Sequence, residues 1–168
     1  AAVIFRYFNV AGADPQTRLG KGSSGETHLI PILIDVLLGK LPTLRVYGTN
    51  YDTPDGTCIR DYIHVQDICQ AHRLALNIET HKKILCCNLG SGAQHSVREV
   101  IAASKAVIDV ELCIEYCDKR DGDVTRNYAD IAQAKNLIGW IPKHSDLQSI
   151  LSDAWRWHKR LADAGITA

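Results

Sequence analysis

The sequence predicts an α/β fold. Two observations carry this. Short apolar runs of strand type alternate with helical stretches, and several helical stretches have a start or stop signal where the pattern changes. The first run, residues 1–9, is apolar on both faces and ends in Tyr7-Phe8-Asn9, as a buried parallel strand does. Residues 10–26 have the Gly, Pro, Asp and Ser content of a loop. A helix from about Leu29 to Leu38 is closed by Gly39, with Pro42 just beyond. Leu44 to Tyr47 reads as a strand and residues 48–61 as a long loop. After Ile63-His64-Val65 a helix runs to about Ile78, with Ile68, Ala71, His72, Ala75 and Leu76 on its inner face and Asp67 favouring its first turn.

Ile84 to Leu89 is the next strand, ending in Gly90-Ser91-Gly92. Ser96 and Glu99 have capping-box spacing and open a helix to about Ile108. Glu111 to Tyr116 alternates like a half-buried strand, and Asp121-Gly122-Asp123 is a turn. Helices follow at about Ile131 to Leu137 and Leu147 to Leu161, the latter with Trp155 and Trp157 on or near its packed side.

The 168 residues suffice for one domain with a core. Lys plus Arg equals Asp plus Glu at 19 each, so no basic excess points to nucleic acid or an anionic membrane. No apolar run has the length of a membrane span, and no signal-peptide pattern opens the chain. The chain starts inside a strand and contains no Met, as a fragment does. The six cysteines form no C-x-x-C pair and read as reduced, buried thiols of a cytoplasmic protein rather than as zinc ligands or disulfides. Gly20-Lys21-Gly22-Ser23-Ser24-Gly25 matches G-x-G-x-x-G, but a loop precedes it and no acid ends the following strand. It reads as a surface loop, not a dinucleotide fingerprint.

The long loop is the most informative stretch. An ordered loop of this length is usually functional. It offers an aromatic face for a base and an arginine fork for a diphosphate. Tyr47-Gly48-Thr49-Asn50-Tyr51-Asp52-Thr53-Pro54-Asp55-Gly56-Thr57-Cys58-Ile59-Arg60-Asp61-Tyr62-Ile63-His64-Val65 closely resembles a segment of UDP-glucose 4-epimerases, members of the extended short-chain dehydrogenase/reductases. Arg6-Tyr7-Phe8-Asn9, Glu26-Thr27-His28-Leu29-Ile30-Pro31 and Arg120-Asp121-Gly122-Asp123 resemble further motifs of that family, with Asp121 in place of a Glu.

The resemblance implies the C-terminal part of an NAD-binding, Rossmann-like enzyme. Residues 1–168 would hold its last Rossmann strands and its small α/β substrate-binding domain, without the N-terminal NAD-binding half. It implies UDP-glucose/UDP-galactose interconversion through a 4-keto sugar, with NAD as cofactor, a cytoplasmic location and a homodimer formed through the missing half. Tyr7 and Phe8 would lie by the nicotinamide, and Asn9 would bind the sugar diphosphate. Thr27, His28 and Leu29 would open the substrate-side helix, whose N-terminus suits phosphate, with Thr27 able to cap it. Tyr47 would stack on uracil while backbone groups of the Arg45-Val46-Tyr47 strand hold its edge. Arg60 and Arg120 would grip phosphate, and Asp123 would accept from ribose hydroxyls.

Asn127 would stand at a size gate by the sugar C2 substituent, small enough for UDP-N-acetylglucosamine. Turnover of that sugar by the intact enzyme tests this. The family's proton chemistry belongs to a Y-x-x-x-K pair, and none of the six tyrosines has Lys four residues on, so no catalytic residue is expected in this chain. Another nucleotide-sugar dehydratase, decarboxylase or epimerase, or an inactive UDP-binding fragment, are the alternatives. Without the resemblance, Arg60 would read as a surface ion pair with Asp61, and the Arg120–Asp123 segment as a turn.

Overall fold

A computed structural model describes residues 2–22, 27–78 and 84–166. Its strands and helices alternate, and three of its four parallel strand pairings form two-stranded ladders. These are β1 (Ala2–Tyr7) with β6 (Ile84–Leu89), β2 (Asn9–Ala11) with β5 (Tyr62–His64), and β3 (Leu44–Tyr47) with β8 (Ile114–Cys117). A small sheet joins β4 (Ile59–Arg60) to β7 (His95–Ser96) antiparallel and to β9 (Arg126–Asn127) parallel. The helices are α1 (Leu29–Leu37), α2 (Val65–Ala75), α3 (Val97–Val107), α4 (Ala132–Ile138) and α5 (Leu147–Asp163).

Helix ends follow their local chemistry. The capping box at Ser96 and Glu99 is formed, with Ser96 N–H donating to Glu99 Oε2 at 2.8 Å and Glu99 N–H to Ser96 Oγ at 3.1 Å. Asp146 caps α5 by accepting from Ser149 N–H. Gly39 follows α1 with φ 71°, a conformation that costs glycine little. At the start of α1 the N-cap is His28, without a side-chain cap bond, so Thr27 does not take that role. α2 ends at Ala75, three residues short of the expected Ile78. Ile68 and Ala71 are buried as expected, but His72 is exposed and Leu76 is 85% exposed.

Two apolar clusters hold the elements together. One packs Leu33 and Ile34 of α1, Leu44 and Val46 of β3, Val100 and Ile101 of α3, and Ile150 and Leu151 of α5. The other joins Ile63, Ala71, Cys87, Leu89, Ala134 and Trp140, whose indole N–H donates to Asp67 O at 2.8 Å. Asp67 is buried, and its carboxylate accepts from Lys143 N–H, His144 N–H and Ser145 Oγ–H. Its work is therefore to tie α2 to residues 143–145, beyond favouring a helix dipole. Trp155 and Trp157 are half-buried, while Leu147, Asp153, His158 and Leu161 complete the packed face of α5. All six cysteines are free thiols, but only Cys58 and Cys87 are buried, so the expectation of buried thiols fails for Cys69 and Cys113, which are exposed.

His64 closes β5 in a fully buried position. Its Nδ1 accepts from Gln66 N–H at 3.1 Å, so the proton of the neutral ring sits on Nε2, 3.2 Å from Asp153 Oδ2. Burial pushes the imidazole below its ordinary value, against the opposing pull of Asp153. The unfolded chain therefore binds a proton more readily than the folded one. Stability from this group is complete above about pH 6.5 and is lost as pH falls through the depressed pKa. Denaturant unfolding at pH 8 and pH 5 is expected to show the loss, with a smaller difference in His64→Gln.

Residues 1–9 read as a strand that is buried among parallel neighbours, with one sheet edge exposed where such a neighbour is lacking, and in this chain the described residues 2–7 are not covered on both faces. Ile4 is 48% and Tyr7 50% exposed, and β1 has a ladder partner on one edge only among the described residues. Neighbouring Ile84 is 72% exposed. A parallel strand of this composition needs cover on both sides. The chain is expected to self-associate with rising concentration in gel filtration. Ile4→Lys is expected to reduce this, and an unchanged profile would count against the account.

Candidate functional site

β1 and β2 are nearly continuous, but the chain changes neighbour between them. Phe8 N–H still donates to Leu89 O, at the end of β6, whereas Asn9 N–H donates to Asp61 O, just before β5. Ligands in α/β folds bind beyond the carboxyl ends of parallel strands, and this change of neighbour lies at the carboxyl end of β1. Asn9 stands at the switch, and its Nδ2 donates to Asp61 O at 2.8 Å.

A cleft of about 260 Å³ lies there. Asn9 forms one wall, and Thr27, His28 and Leu29 bring the start of α1 to another. Arg45, Val46 and Tyr47 supply a strand, and Arg60, Arg120 and Asp123 supply the charge. Every candidate substrate residue lines this one cleft except Asn127. That residue lies exposed on β9, in register with Arg60. Glu26, from the same motif as Thr27, lies outside the described residues, as do Ser23, Ser24 and Gly25 of the glycine-rich stretch.

The charged groups meet at Asp123. Arg120 donates to it through Nε at 3.0 Å and Nη2 at 3.3 Å. Arg60 Nη2 is 3.9 Å from Asp123 Oδ1, while its Nη1 donates to the carbonyls of Ile59 and Val124 at 2.9 and 2.7 Å. Two guanidiniums face one carboxylate, so the cluster keeps a net positive charge. The Arg120 guanidinium also lies 4.7 Å from the centre of the Tyr47 ring.

β3 alternates in burial, so Val46 points its side chain into the core while Arg45 points outward. Arg45 Nε is 3.0 Å from Glu115 Oε2 across the ladder to β8. Its guanidinium is thus engaged there, and backbone is what Arg45 and Val46 can offer a ligand. β3 has a ladder partner on one edge only among the described residues.

The long loop is folded by its own polar groups. Asp55 accepts from Thr57 N–H and Oγ1–H and from Ser96 Oγ–H at the N-cap of α3. Thr53 Oγ–H donates to Thr57 O at 2.7 Å. Gly56 has φ 79°, and a Cβ there would meet Thr49 O at 2.0 Å. Tyr51 is buried behind the cleft, and desolvation pushes its phenol up to about 12.

The surface ion pair with Asp61, the alternative to a phosphate-binding role for Arg60, is not formed. The buried Asp61 carboxylate accepts from Ser91 N–H, Ser91 Oγ–H, Gly92 N–H and Ala129 N–H at 2.7, 2.7, 3.0 and 3.1 Å. A Cβ at Gly90 would stand 2.4 Å from Asp61 Oδ2, so glycine is needed there.

Tyr7 and Phe8 lie beside the cleft rather than in it. They line a second cavity of about 430 Å³, which shares Val10, Ala11 and His28 with the first. Tyr7 Oη lies 2.9 Å from His72 Nε2, and His72 Nδ1 lies 2.9 Å from Ile68 O. His72 was expected on the inner face of α2; it instead meets Tyr7 near the surface.

The profile of the NAD dependent epimerase/dehydratase family matches residues 1–90. The chain belongs to this family. It is 44% identical over 161 residues to the UDP-glucose 4-epimerase of Azospirillum brasilense, covering 95% of this chain and 46% of that protein. It is 42% identical over 163 residues to a probable UDP-arabinose 4-epimerase of Oryza sativa subsp. japonica, covering 95% and 40%. A crystal structure of UDP-glucose-4-epimerase from Stenotrophomonas maltophila, with bound NAD and formylated UDP-arabinopyranose, superposes with a TM-score of 0.92 at 37% identity, over 96% of this chain and 48% of that one. This epimerase/dehydratase chain thus spans about half the length of the curated relatives it matches. Among its described residues no helix is long and apolar enough to cross a membrane.

Proposed function

We propose that the intact protein is an NAD-dependent UDP-hexose 4-epimerase acting on UDP-glucose and UDP-galactose, and that this chain supplies its hold on the UDP end. The observation that carries this is the single cleft on which Asn9, Thr27–Leu29, Arg45–Tyr47, Arg60, Arg120 and Asp123 converge from separate elements. The names and bound ligands of the relatives support it.

Each part suits a nucleoside diphosphate. The Arg60 and Arg120 forks match phosphate oxygens, and the N-terminus of α1 adds backbone N–H groups and a favourable dipole. The edge of β3 that has no ladder partner among the described residues offers main-chain groups to the edge of a uracil, and Tyr47 offers a ring. Asp123 accepts from ribose hydroxyls. A firm anchor on UDP lets the sugar turn while the rest of the ligand stays fixed. Asn127, which lines neither cavity, would set the room at the sugar's C2 substituent only by reaching in from β9 beside Arg60.

The flat, half-exposed Tyr7 ring and Phe8, at the carboxyl end of a parallel strand, fit one side of a nicotinamide. The chemistry NAD supplies when bound is reversible hydride transfer at the sugar ring. The residues of this chain contribute orientation, not proton transfer. Residues 1–168 would be the substrate-binding part with the last Rossmann strands, and the exposed face of β1 and β6 the surface that an N-terminal half covers. Free thiols fit a reducing cytoplasm. The homodimer implied by the resemblance is assigned to that other half.

Proton NMR of the full-length protein with UDP-galactose and UDP-arabinose tests the reaction class. Inversion at C4 is expected. Loss of water or of CO₂ would replace the reading with a dehydratase or a decarboxylase.

A further inference from the structure

The second cavity has a wall that the proposed ligand contacts do not explain. Gly20 and Lys21 belong to it, in the same lining as Tyr7 and Phe8. They belong to the loop after β2, which is held in place from outside. Trp157 of α5 donates its indole N–H to Lys21 O at 2.7 Å. The same ring lies flat against Gly20, where a Cβ would stand 2.5 Å from Cγ, Cδ1 and Nε1. Further along the loop, Arg160 donates to Thr17 O, and Asp14 accepts from Arg18 Nε and Nη2 at 2.6 and 3.0 Å. Trp157 lines neither cavity, so any influence on a ligand passes through Gly20 and Lys21.

The two cavities meet at Val10, Ala11 and His28. A ligand whose diphosphate sits at Arg60 and Arg120 can place its remaining end past His28. A lining that holds both aromatic residues and polar backbone suits a pyranose, which has apolar C–H faces and a rim of hydroxyls. Resting on the nucleotide-sugar reading, we propose that Trp157 is a positioning residue for the glycosyl end of the ligand. It holds Gly20 and Lys21 in the wall of the sugar chamber.

Trp157→Phe keeps a ring against Gly20 but removes the bond to Lys21, and Gly20→Ala forces wall and ring apart. Titration calorimetry of the chain with UDP and with UDP-glucose separates the two ends of the ligand. In both variants UDP-glucose is expected to weaken by about fivefold or more, the scale of one lost hydrogen bond, while UDP changes less than about twofold. Equal losses for both ligands mean a general structural role and overturn the inference, as does an unchanged UDP-glucose affinity. A wild-type chain that binds UDP but not UDP-glucose overturns it while leaving the UDP cleft intact. A wild-type chain that binds neither removes the nucleotide-sugar reading and this inference with it.

Discussion

Asp61→Ala is expected to destabilise the chain by about 3–5 kcal/mol, because it strands several buried donors at once. Four N–H or O–H groups converge on that carboxylate, and the residue is fully buried. A small domain is stable by only about 5–15 kcal/mol, so the loss takes a large share of the total. The effect reaches the cleft as well. The backbone carbonyl of Asp61 accepts from both Asn9 N–H and Asn9 Nδ2, and Asp61 N–H donates to Asn127 O. Asp61→Asn keeps the shape and one acceptor oxygen, and its loss is expected to be smaller. Urea unfolding followed by circular dichroism measures both. A wild-type midpoint in Asp61→Ala would mean that the four bonds do not hold this region.

Replacing Arg60 and Arg120 together by Ala is expected to remove UDP binding at millimolar ligand. A hydrogen bond to a charged group contributes about 1.5–3 kcal/mol, roughly tenfold or more in affinity per fork. The two arginines face the same Asp123 carboxylate, so their effects will not add independently. Arg120 is the cleaner single replacement, since Arg60 also holds the carbonyls of Ile59 and Val124 in place. Uridine, which carries no phosphate, serves as the control and should bind the double variant much as it binds wild type. Loss of both ligands would mean that the cleft had lost its shape rather than its charge.

The long elements of this fold were legible because burial leaves a period. α1, α3 and α5 follow their apolar patterns, and the capping box at Ser96 marks a helix start. The short strands were not legible. β4, β7 and β9 have two residues each, too few to show alternation. β8 begins at Ile114 rather than Glu111 because its partner β3 is only four residues long and starts in register at Leu44 opposite Ile114. Leu112 is buried all the same, from a loop, which is how the alternation misled.

The same division holds for the site. Sequence motifs marked residues that the fold brings to one cleft, although they come from positions as distant as Asn9 and Asp123. What the sequence could not supply was each residue's internal partner. Arg45 is engaged with Glu115, Arg120 lies over Tyr47, and Asp61 turns away from Arg60 toward the Gly90–Gly92 turn. These are long-range contacts set by packing, and no local pattern encodes them.

On the proposed function, a base site and a phosphate clamp share one continuous cleft in this chain. Calorimetric titration of the 168-residue chain with UDP, uridine and inorganic pyrophosphate tests it most directly. One UDP site is expected, tighter than either part-ligand by at least about tenfold, because both halves are held at once. UDP binding no tighter than pyrophosphate, or no UDP binding at all, would contradict it.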